Sequence, residues 1–232
     1  MLVTSLTRFG ALSQRQWTRA TRPLFTTAAP VVGARYCAPH GMTLTATETF
    51  FDGFPITDAR GATVMRAEKA PFSCPSRHLL LDVSAASRRP VLTVRRSPAF
   101  FEIRRRWNVY SGNSTSQSDL LFVAAESPLF KPGVVQVHLP GRDGGRDPDF
   151  VVHSRGFFGC DYTVSRGGAA LAQINTGHAT LLGLLFNMMA YRISVNAGVD
   201  HAFVVALTVI LAEIRHDDEE KRRRQLRAWN SR

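Results

Sequence analysis

"VNAGVDHAFVVALTVILAEIRHDDEEKRRR" (residues 195–224) holds the key to the fold. From Ala202 to Ala212 the only side chain that is not plainly apolar is Thr208, and four acids and four bases follow almost at once. Such a run is too short to cross a bilayer, which needs about 20 residues, and too long for an ordinary strand of about 4–8. Val204, Val205, Val209 and Ile210 lean toward strand by propensity. The flanks argue for helix. Gly198 and Asp200 make a start, with Asp200 as an N-cap accepting from free backbone N–H groups. Asp217, Asp218, Glu219 and Glu220 stand four residues before Lys221, Arg222, Arg223 and Arg224, an acid-to-base spacing that supports a helix.

A helix that is apolar all round must be surrounded by protein. Its ten or so apolar side chains contribute on the order of 15 kcal/mol of gross burial energy, provided every face is covered. A single sheet covers one face, whereas a closed barrel covers them all. Eight strands leave a lumen that side chains fill, so a helix about 10 Å across requires roughly eleven or twelve.

The rest of the chain supplies that number. In "FEIRRRWNVY" (residues 101–110) Phe101, Ile103, Trp107 and Val109 alternate with polar residues, the mark of a half-buried strand, and Arg105 falls on the apolar side. Similar runs occupy 134–139, 150–155, 160–165 and 191–196, with weaker ones at 42–47, 54–56, 62–66, 78–83, 91–96, 120–126 and 169–174. Between them lie the turn formers "DARG" (58–61), "SGNSTSQSD" (111–119), "GRDGGRD" (141–147) and "RGG" (166–168). The expected fold class is mainly β: a roughly twelve-stranded antiparallel β-barrel enclosing a C-terminal hydrophobic helix. The stretch 176–190 is compatible with a short helix, a hairpin or a capping loop.

The net charge of +11 on 232 residues is localised. Residues 1–41 carry five arginines and no acid, and residues 215–232 carry seven bases against four acids. The body between them is nearly neutral. Three domains are expected: a basic extension (1–35), a barrel (36–214) and a charged helical extension (215–232). Residues 1–30, acid-free and rich in Arg, Ser and Thr, are compatible with an organelle transit peptide, a disordered tail or an upstream start. The chain is accordingly expected in the cytoplasm, membrane-associated or nuclear, or in a mitochondrion or chloroplast if that segment is a transit peptide. Cys37, Cys74 and Cys160 are odd in number and far apart, which favours a reducing compartment and no zinc site. The Asn113-Ser114-Thr115 sequon reads as a coincidence.

The stretches "RRRWNVYSGNSTSQSDLLFVAAES", "DFVVHSRGFFGCDYTVSRGGAALAQI" and "ISVNAGVDHAFVVALTVILAEI", with the Asp58-x-x-Gly61 turn upstream, resemble the plant LURP-one-related family over residues 31–214. The resemblance implies a twelve-stranded barrel around a central helix, as in tubby C-terminal domains and phospholipid scramblases, an association with plant defence and a membrane tether. The basic segment 1–30 and the stretch 181–190 depart from the family's pattern.

No Gly-x-Ser-x-Gly, Walker or Gly-x-Gly-x-x-Gly motif is present, so no catalytic residue, metal or cofactor is assigned and the protein is expected not to be an enzyme. His201 is expected to serve structurally, bonding a strand carbonyl at a barrel mouth, and Cys160 to be a core residue. The informative feature is basic. Between Arg88 and Arg106 seven arginines face Glu102 alone, and arginine offers bidentate donors to phosphate. Arg88, Arg89, Arg95, Arg96, Arg104 and Arg106 are therefore the candidate sites for anionic phospholipid or phosphoinositide, against the alternative of a solvated outer face. Nucleic acid, engaged through the same patch and "KRRRQLR" (221–227), is the second expected partner. No transmembrane span and a monomer are expected.

Overall fold

The apolar rod is the axis of the molecule. A computed structural model describes residues 29–49, 53–70, 76–84, 88–98, 104–127, 133–141, 147–155, 161–177 and 188–231. The expectations for residues 1–28, Phe101, Ile103, Cys74, Cys160, 142–146 and 178–187 lie outside the described residues. Helix α1 (His201–Asn230) is continuous, and every residue from Ala202 to Ala212 is buried. The one hydroxyl in that run is satisfied within the helix, because Thr208 Oγ1 donates to the Val204 carbonyl at 3.0 Å.

Twelve strands surround it: β1 (Met42–Thr47), β2 (Gly53–Thr57), β3 (Thr63–Lys69), β4 (Arg77–Asp82), β5 (Arg89–Arg96), β6 (Arg106–Ser111), β7 (Leu120–Glu126), β8 (Val134–His138), β9 (Phe150–Arg155), β10 (Asp161–Arg166), β11 (Ala169–Gly177) and β12 (Ala190–Val195). Each pairs antiparallel with its neighbours in sequence, and β1 closes the ring against β12. Closure removes both sheet edges. Register shifts at Ile56/Thr57, Leu80/Leu81, Val109/Tyr110 and Val164/Ser165 supply local bends.

The period-2 pattern places one side chain in two against the rod. Leu44, Ile56, Leu92, Trp107, Val109, Phe122, Val152, Ile174 and Ile193 are fully covered. Phe203 on the helix meets the Phe122 ring edge-on at 5.1 Å and the Phe150 ring at 4.8 Å, geometries that aromatic quadrupoles favour. Thr93 is also fully buried although it alternates to the outside, because the loop after β6 folds back over it and its Oγ1 donates to the Gly112 carbonyl at 2.8 Å.

The mouth where α1 begins is sealed by Asp200. Gly198 turns the chain at φ 75°, a left-handed conformation that costs glycine little. Asp200 Oδ1 then accepts from Phe203 N at 3.1 Å, the N-cap bond expected from the sequence. Its other oxygen accepts from Val32 N at 2.8 Å and Gly33 N at 3.0 Å. Three backbone donors thus converge on one buried carboxylate, and the segment before β1 is tied to a residue 168 positions away. His201 has the structural place expected of it at this mouth, but its backbone hydrogen bond is with Tyr36 in the turn before β1 instead of a strand; its ring stands edge-on to Tyr36 at 5.5 Å, and burial pushes its imidazole pKa down.

Asp200→Ala removes the cap and orphans two further N–H groups, so we expect a loss of about 3 kcal/mol in urea unfolding. Asp200→Asn keeps an accepting oxygen and should lose distinctly less.

Candidate functional site

The opposite mouth, where α1 leaves the barrel, concentrates the charged chemistry. Glu213 is the first ionisable residue after the apolar run, and its carboxylate sits at the rim, largely buried. Oε1 accepts from Ser76 Oγ at 2.5 Å and meets His78 Nε2 at 2.8 Å, and Oε2 accepts from Trp107 Nε1 at 2.5 Å. Burial pushes its pKa up, but the His78 and Ser76 contacts and the Trp107 N–H overcome that and hold it at about 2. A group kept ionised that far below neutrality is a poor proton carrier. Glu213 anchors the helix to β4 and β6.

Two arginines complete the collar. Arg215 Nη2 donates to both Glu48 oxygens at 2.7 and 2.8 Å, Nε donates to Tyr191 Oη at 3.0 Å and Nη1 to Glu219 at 2.5 Å. Burial and the adjacent Glu48 carboxylate raise the Tyr191 phenol above its usual range. Arg105, just ahead of β6, forms a fork onto Glu126 at 2.6 Å for both bonds, reaches Asp218 at 2.9 Å and donates to the Ile214 carbonyl at 3.2 Å. Arg96 meets Asp217 at 2.6 Å. The apparent fault in the alternation of residues 101–110 is therefore a working residue: Arg105 points inward because the helix exit needs a cation there.

The acids of 217–220 divide differently from the sequence expectation. Glu220 pairs with Arg224 at 2.5 Å along the helix, whereas Asp217 and Asp218 turn to barrel arginines and Glu219 pairs with Arg215 behind it. A buried or half-buried arginine fixed by the sheet is a better partner than a solvated one on the same helix. Beside the collar lies a cavity of about 460 Å³, lined by Lys69, His78, Glu213, His216 and Asp217 among others. All four of its carboxylates, Glu48, Glu213, Asp217 and Glu220, already face cationic or imidazole partners.

The six candidate arginines do not form one cluster. Arg88 and Arg89 are exposed at the mouth where α1 begins, and β5 runs about 23 Å from Arg89 to Arg96. Arg96 shares the inward face with Leu92 and Val94 and is committed to Asp217. Arg95, Arg104 and Arg106 remain on the outside near the exit mouth. Arg95 lies opposite Arg77 on β4 and Asn108 on β6, so Arg106 is its diagonal neighbour. Arg104 and Arg106 also line a shallow groove of about 290 Å³ with Gln136 and His138, floored by Val123 and Ala125. Among the described residues no group of three His, Cys, Asp or Glu is placed to hold a metal ion, and no helix is long and apolar enough to cross a membrane.

The LURP-one-related profile matches residues 42–212, from the first residue of β1 to the last buried residue of α1. The chain belongs to that family. Similar relatives in Arabidopsis thaliana include LURP-one-related 10, 30% identical over 207 residues (82% of this chain, 98% of that protein), and LURP1, 30% identical over 191 residues (79% and 89%). The X-ray structure of an Arabidopsis thaliana protein superposes with a TM-score of 0.61 at 27% identity, covering 81% of this chain and 99% of that one. The LURP-one-related barrel thus accounts for the strands and the rod, while the helix beyond Ala212 lies past the matched span.

Two outcomes probe the collar. Because the Glu213 pKa is lower in the folded chain, about 2 against 4.5, its contribution is complete above pH about 4.5 and is lost as pH falls toward 2. Acid titration of unfolding free energy should lose about 3 kcal/mol over that window, and Glu213→Gln should flatten the slope there. Arg105→Lys retains charge but not the fork; thermal unfolding should drop to nearly the level of Arg105→Ala.

Proposed function

We propose that this LURP-one-related protein is a non-enzymatic module that binds anionic phospholipid, phosphoinositide included, through the outer wall of β5, β6 and β8 near the exit mouth. The observation that carries this reading is the placement of Arg95, Arg104 and Arg106 on the outward side, with His138 and Gln136 bordering the same groove. The planar guanidinium fork matches phosphate oxygens, so less side-chain freedom is lost for each hydrogen bond formed. The apolar floor of Val123 and Ala125 lets the arginine stems lie flat while their heads meet headgroups.

Arg88 and Arg89 belong to a separate surface in this reading, and Arg96 serves the helix. Nucleic acid fits the same wall less well. Its recognition draws on aromatic platforms for base stacking, and Trp107 is fully buried with its ring N–H given to Glu213.

Each arginine at an anionic surface is worth about 1 kcal/mol, so Arg95→Gln/Arg104→Gln/Arg106→Gln should weaken co-sedimentation with phosphatidylserine vesicles on the order of a hundredfold. Arg88→Gln/Arg89→Gln should leave it nearly unchanged. Equal binding by the triple variant and the native protein would remove the proposal.

A further inference from the structure

Helix α1 does not stop where its anchors stop. The collar ends at Glu219, and from Glu220 to Ser231 every side chain is exposed. That leaves a rod of about 16 Å standing clear of the barrel. Within it, Leu226 (58% exposed) and Trp229 (79%) are the exposed large hydrophobic residues among the described ones. They stand three positions apart, about 60° around the helix, with Arg222 between them on the same face. Residues 221–232 add six bases and no acid. The segment 1–41, also basic and acid-free, would be repelled by such a rod and make a poor cover for it.

We propose that this free end of α1 is an interfacial segment that lays Leu226 and Trp229 among the headgroups of an anionic bilayer while Lys221, Arg222, Arg223 and Arg227 meet lipid phosphates. The inference rests on the phospholipid reading above and names a second contact with the same surface. A helix with an apolar pair framed by arginines has the pattern of a segment lying in the interface plane. Tryptophan suits that depth because its ring is apolar and its N–H finds a partner among headgroups. The free rod and the arginine wall project from the same mouth of the barrel, so one membrane can engage both. A short helix without tertiary contacts is marginal in water; here it is prolonged from an anchored core, so a binding segment is presented already folded. A nucleic acid would use the bases but has no use for Leu226.

The test uses the full-length chain with vesicles of phosphatidylcholine alone and of phosphatidylcholine with phosphatidylserine. Leu226→Ser/Trp229→Ser should unfold at the native temperature, since neither side chain is covered, yet bind the mixed vesicles on the order of tenfold more weakly. In a Trp17→Phe background, brominated acyl chains should quench Trp229 emission on mixed vesicles only, with buried Trp107 unaffected. If the Leu226/Trp229 variant binds like the native chain while the Arg95/Arg104/Arg106 variant does not, the inference is overturned and the arginine wall stands alone. If the native chain ignores phosphatidylserine vesicles, or binds an oligonucleotide in their place, both fall.

Discussion

The burial of one helix on all of its sides is the constraint from which the rest follows. Residues 202–212 offer water no polar face, so they are stable only where sheet surrounds them completely. That requirement explains the number of strands, since a ring of about twelve is wide enough to admit a helix and its inward neighbours. It is met by an up-and-down order, in which each strand pairs with its neighbours in sequence until β1 and β12 meet. The alternation along each strand serves the same end, with Phe122, Phe150, Ile174 and Ile193 filling the space between backbone and helix.

A rod inside a tube must also be fixed along the tube, where interdigitated apolar packing is joined by directional bonding. Polar contacts at the two mouths supply it. Asp200 binds the start of α1 and the segment before β1 with a single carboxylate. Glu213, Arg105 and Arg215 bind the other end to β4, β6, β7, β12 and the residue following β1. The exit-mouth groups keep some exposure to water, so they gain charge-assisted hydrogen bonds without the full cost of deep burial. The consequence for function is a division of labour among arginines. Those on the inward side of β5 and before β6 are spent on the helix, whereas Arg95, Arg104 and Arg106 stand on the outward side.

Several features were legible in the residues themselves. The twelve strand positions could be read because alternation survives wherever one face is buried, as at 42–47, 120–126 and 150–155, whose bounds match β1, β7 and β9. The Asp200 cap was readable because its effect is local. Less legible was the fate of each charge. The arginines between Arg88 and Arg106 looked like one patch, yet Arg89 and Arg96 lie at opposite ends of a strand, Arg105 and Arg96 face inward, and Arg95, Arg104 and Arg106 face out. The signal for Arg105 was present as a break in the alternation. For Glu213 there was only its place immediately after the apolar run, and nothing marked His78, Ser76 or Trp107 as its partners, since all three lie in strands or loops far upstream.

By itself the sequence determined a greasy helix, a set of half-buried strands and hence a barrel, because hydrophobic periodicity and capping depend on residues within a few positions of one another. Tertiary structure alone decided which charges meet: the Glu213 cluster, the fork of Arg105 onto Glu126, the Arg215 contacts with Glu48 and Tyr191, and the outer groove beside Arg104 and Arg106. Those pairings depend on strand register and on how far the helix advances through the tube, and side chains brought together by closure of a ring carry no common spacing along the chain.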